Sequence, residues 1–162
     1  MGKIKVVISD KQKDIKLPTG TRLLMRKACN ATLRVENFTD DAEVYITIVN
    51  DEQIREMNSQ FRNIDKSTDV LSFPLGENGV YDTNPESGAK MLGDIVVSVE
   101  HALGQADLYG HGIEREVAYL TVHSLLHLFG YDHVENNIER IKMRDREEEV
   151  MALLGLSVIN AG

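Results

Sequence analysis

The stretch "EVYITIVNDEQIREMNSQF", residues 43–61, changes its apolar period partway along. Residues 43–50 alternate and are rich in β-branched side chains, the pattern of a half-buried strand. From residue 51 the period lengthens: Ile54, Met57 and Phe61 share one helical face, and Asn50 or Asp51 can cap the helix. A strand that runs straight into a helix has to be packed by it, which is the local unit of a sheet covered by helices.

The same reading extends in both directions. Upstream, "IKVVI" (4–8) predicts a strand. A helix over about 20–32 follows, with Pro18 and Thr19 or Thr21 as start signals and Leu23, Leu24, Lys27 and Ala28 on helical spacing. Downstream, "TDVLSFPL" (68–75) reads as a strand ended by Pro74, and "LGDIVVSVE" (92–100) as another. Residues 76–90, made of Gly, Asn, Asp, Ser and Pro, predict one long loop able to cover or line a site. Three helices close the chain: one stopped by Gly110, one over 113–130, and one over 136–156 with Ile138, Ile141, Val150, Leu153 and Leu154 inward. The expected class is α+β with α/β character, a small mixed sheet of about four strands packed by about five helices. Residues 1–162 contain no repeat and no linker, so a single domain is expected.

The lone Cys29 cannot pair within the chain, which points to a reducing, cytoplasmic setting. The amino terminus has no signal core and no apolar run reaches membrane-spanning length, so no membrane partner is expected. Net charge is −8, but residues 1–34 hold nine Lys and Arg against Asp10 and Asp14, so this segment carries +7 and the remainder −15. The basic segment reads equally as a solvated surface or as a face that docks a polyanion.

"HSLLHLFGYDH", residues 123–133, carries the chemistry. His123 and His127, four apart on a helix, present two imidazoles to one ion. Gly130 allows the turn that brings His133 to the same point. Three imidazoles leave one tetrahedral position open, the arrangement of a catalytic zinc site, and predict one Zn²⁺ per chain on this helix and the turn after it. The spacing is that of metzincin peptidases, but Ser124 stands where they keep the glutamate that moves protons, which weighs against peptidase chemistry. Glu116 or Asp132 could accept the second ring N–H of a ligating histidine; an ordinary ion pair and a turn residue are the alternatives. His101 and His111 read as surface residues. A second cluster, "FRNIDKSTDVLSFP" (61–74), contains Arg62, whose guanidinium can grip a phosphate in a fork, although an isolated arginine after a helix is also an ordinary surface residue.

These two motifs together with "GDIVVSVEHALGQA", in this order and separation, resemble the YbeY endoribonuclease family over most of the chain. One departure is Ser124, where the family usually has glycine. The resemblance implies zinc at His123, His127 and His133, with Arg62 as a functional residue beside it. It implies single-strand-specific cleavage of RNA, maturation of the small-subunit rRNA 3′ end, and ribosome quality control. The implied partners are the ribosomal small subunit and a ribosome-assembly GTPase, with no DNA. The basic first helix and first strand would then offer an RNA-docking face. A non-catalytic assembly factor with a structural zinc is the alternative from another class.

Overall fold

A computed structural model describes residues 2–77, 79–131 and 137–156 of the chain. Four strands form the main sheet: β1 (Ile4–Asp10), β2 (Ala42–Val49), β3 (Val70–Pro74) and β6 (Lys90–Ser98), in the order β1-β2-β6-β3. β1, β2 and β6 are parallel and β3 is antiparallel to β6, so the sheet is mixed, as expected. Among the described residues five helices pack it: α1 (Thr21–Val35), α2 (Asp51–Arg62), α3 (Val99–Tyr109), α4 (Ile113–Leu128) and α5 (Asn137–Leu153). Among the described residues no helix is long and apolar enough to cross a membrane.

Strand alternation sends side chains to two faces. On one, Val6, Ile8, Val44, Ile46, Ile48, Ile95 and Val97 join Met25 of α1 and Leu120, Leu125 and Leu128 of α4 in the main core. On the other, Val49, Leu71 and Val96 pack against Ile54 of α2. A third cluster joins Ala28 of α1, Val122 and Leu126 of α4, and Met143, Val150 and Met151 of α5. α4 is therefore packed between the sheet on one side and α1 and α5 on the other.

The turn at residue 50 forms as read. Asn50 accepts from the Gln53 backbone N–H while the Gln53 side chain accepts from Asn50, a reciprocal cap. Three apolar stripes differ from expectation. Leu23 is exposed, and α1 turns Thr21, Met25, Ala28, Cys29, Thr32 and Leu33 inward. Phe61 is exposed at the end of α2, edge-on to Phe73. Ile138, Ile141 and Leu153 of α5 are exposed, because that helix docks through Met143, Glu147, Val150 and Met151.

The 76–90 segment is more ordered than a plain loop. It contains a short hairpin of β4 (Gly76–Glu77) and β5 (Val80–Tyr81) and a bridge between Thr83 and Lys90. Farther along, it is tied to the sheet by Glu43, which accepts from Ser87 Oγ (2.7 Å), Asn84 Nδ2 and the Tyr45 hydroxyl. These donors hold the Glu43 carboxyl below its ordinary value, the Ser87 bond contributing most.

Both free edges of the sheet are covered by arginines. Arg22 and Arg26 of α1 donate to the carbonyls of Ile8 (3.2 Å) and Val6 (3.5 Å) on β1, and Arg62 donates to that of Ser72 (3.3 Å) on β3.

Candidate functional site

The site begins with the burial pattern of α4. From Glu116 to Leu128 every residue is buried except Tyr119, His123 and His127, which form one partly open stripe at four-residue spacing. Apolar packing on both sides of the helix leaves only this stripe facing out of the core.

The two histidines converge. Their Nε2 atoms lie 3.2 Å apart, with ring centroids at 4.7 Å and planes at 81°. Two imidazole nitrogens each about 2.05 Å from one zinc in tetrahedral geometry would stand about 3.3 Å apart. The pair therefore fits the donor spacing of such an ion. Among the described residues no group of three His, Cys, Asp or Glu side chains is placed to hold a metal. The expected third ligand, His133, lies outside the described residues, as does Asp132. Gly130 has the positive φ (102°) that the turn after α4 requires.

The carboxylate behind His123 comes from an element that sequence spacing did not suggest. His123 Nδ1–H donates to Oε2 of Glu147 on α5 (2.5 Å), and the Tyr119 hydroxyl donates to Oε1 of the same residue (2.9 Å). With Nδ1 as the donor, Nε2 of His123 carries the lone pair that faces His127. Glu116 pairs instead with His111 (3.3 Å), and burial raises its carboxyl above the usual range. His111 and His101 are half-buried rather than surface residues, since His101 Nδ1–H donates to Asp51 where α2 and α3 begin. The sign of Glu147 in the sequence was a glutamate at a core position of α5, legible only once the inner face of that helix is known.

His127 opens onto a cleft of about 280 Å³ lined by Pro74, Gly76, Gly79, Tyr81, Leu128, Phe129 and Gly130. The 76–90 segment therefore lines the site, and the Tyr81 hydroxyl fixes one wall by donating to the Leu128 carbonyl (2.7 Å). Arg62 is exposed and lies along the edge of β3, whose final residue, Pro74, lines this cleft. Ser124 is fully buried and its hydroxyl has no hydrogen-bond partner among the described residues, so position 124 offers the cleft no base. In the basic segment, Arg22 and Arg26 are engaged with the β1 edge, while Lys13, Lys16 and Lys27 are exposed.

A family model described as endoribonuclease YbeY matches residues 7–155. A protein named endoribonuclease YbeY from Caldanaerobacter subterraneus subsp. tengcongensis is 48% identical over 156 residues, covering 93% of this chain and 98% of that protein. One of the same name from Alkaliphilus metalliredigens is 43% identical, covering 94% and 97%. The solution structure of TM1509 from Thermotoga maritima superposes with a TM-score of 0.57 at 26% identity, covering 93% of this chain and 91% of that one. With the matching family model spanning nearly the whole chain, and relatives of this identity covered almost end to end, the chain belongs to the endoribonuclease YbeY family.

Proposed function

We propose that this endoribonuclease, one domain over residues 1–162, cuts single-stranded RNA at a zinc centre held by His123, His127 and His133, with Arg62 on the scissile phosphate. The observation that carries the reading is the 3.2 Å approach of the two Nε2 atoms at the mouth of a cleft. The substrate is the small-subunit rRNA 3′ end, the partners are the ribosomal small subunit and a ribosome-assembly GTPase, and the setting is cytoplasmic. These finer assignments rest on family membership.

When bound, zinc supplies a Lewis acid toward a phosphoryl oxygen. The remaining roles fall to the chain itself. His123 and His127 hold the ion from a rigid helix, and the Tyr81 and Phe129 walls limit water around it. Arg62 spends one N–H on Ser72, leaving others of its five donors for phosphate oxygens on which charge develops. A phosphodiester releases an alkoxide, a better leaving group than a peptide amine, which suits a site with no base at position 124. Identification of product ends distinguishes the nucleophile: a 2′,3′-cyclic phosphate marks the RNA 2′-hydroxyl, and a linear phosphate marks water.

The test is cleavage of an end-labelled, unstructured RNA by zinc-loaded protein beside His127→Ala and Arg62→Ala purified identically. The expected result is cutting by the parent, background for His127→Ala, and a loss of about 10²–10³-fold for Arg62→Ala. Equal cutting by all three, or by none, overturns the proposal.

A further inference from the structure

We propose that Glu147 is the positioning residue of the metal centre and that it links the seating of α5 to metal affinity. The inference rests on the reading of His123 as a ligand and adds a residue outside the histidine motif.

Glu147 is 6% exposed and occupies the inner face of α5 with Met143, Val150 and Met151, a place where an apolar side chain would pack at no electrostatic cost. A buried carboxylate is expensive unless a cation and hydrogen bonds compensate it. The neighbouring cations of α5 are committed elsewhere: Arg144 pairs with Glu148, and Arg146 with Glu36 and Glu149. Among the described residues the one basic side chain that Glu147 meets is the imidazole of His123, which donates to it.

Both its oxygens are used and both point along one stripe of α4, Oε1 toward Tyr119 and Oε2 toward His123. Tyr119 also stacks on the His123 ring, with centroids at 6.1 Å and planes at 29°. The imidazole is thus held on its face by Tyr119 and at Nδ1 by Glu147, leaving Nε2 directed at His127. A divalent ion bound there supplies, through the imidazole, the positive charge that balances the buried carboxylate. Binding of the ion and docking of α5 then favour each other, because the same carboxylate serves both.

The experiment measures Zn²⁺ affinity by competition with a chromophoric chelator, for the parent, Glu147→Gln, Tyr119→Phe and His127→Ala. Thermal melting of each protein is followed with and without Zn²⁺. Glu147→Gln keeps size and shape and loses the charge; its Zn²⁺ affinity is expected to fall about 10- to 100-fold, with a smaller rise in melting temperature on adding Zn²⁺. Tyr119→Phe keeps the packing, loses one hydrogen bond, and should lose affinity by a smaller factor. Parent-like affinity in both variants, alongside loss in His127→Ala, overturns the role of Glu147 and leaves the metal site standing. Parent-like affinity in His127→Ala overturns the metal reading beneath it. If Glu147→Gln melts lower without Zn²⁺ and binds Zn²⁺ as the parent does, Glu147 is a packing residue and the inference fails.

Discussion

Gly93 in β6 and Gly104 in α3 respond to the same substitution with opposite signs. A Cβ at Gly93, whose φ is +150°, would sit 2.5 Å from the Phe73 carbonyl oxygen and 2.9 Å from Leu128 Cδ2, between β3 and the end of α4. Gly93→Ala should cost about 2–3 kcal/mol in chemical denaturation, since backbone must move to admit the methyl. A Cβ at Gly104, in an exposed turn of α3, meets nothing, so Gly104→Ala should stabilise by about 0.5–1 kcal/mol through helix propensity. Cys29 behaves differently from what its chemistry alone suggests. Burial pushes its thiol up to about 12, so a thiol reagent at pH 8 should leave the native protein unmodified and label it once denatured. Fast labelling of native protein would contradict the packing of α1.

Elements that carry their own signal were legible, while faces chosen by tertiary contact were not. The strand-to-helix junction at Asn50 was readable because the cap is local. The inner face of α5 was misassigned because its buried set contains Glu147, which a count of apolar residues passes over. α1 misled in the same way, burying Thr21 and Thr32 while Leu23 faces water. The 76–90 segment has loop composition, and part of its order comes from distant Glu43. Glu43 is buried, and its hydrogen bonds to Ser87 and Asn84 contribute about 1 kcal/mol. Its folded pKa lies below the ordinary 4.5, so this stabilisation is complete above about pH 4.5 and is lost as pH falls through the lowered value. Glu43→Gln should therefore melt below the parent at pH 7, and the gap should close on acidification. A gap that widens in acid would reverse this assignment.

For the molecule as a whole, sheet content, helix number and the His123–His127 pair were readable because spacing along one helix is spacing in space. Glu147 was out of reach because its contact depends on how α5 crosses α4. The arginines on the sheet's edges bear on how the basic amino-terminal segment should be tested as an RNA-docking face. Reversing the charge of Arg22 and Arg26 removes two cations and at the same time bares the carbonyls of β1, an open template for another chain. Such a variant should form larger assemblies than the parent in sedimentation velocity, whereas reversal of Lys13, Lys16 and Lys27 should leave the assembly state unchanged. Loss of RNA affinity in the arginine variant would then report clumping as readily as lost contact with phosphate. The three lysines are the substitutions whose effect on binding has a single meaning.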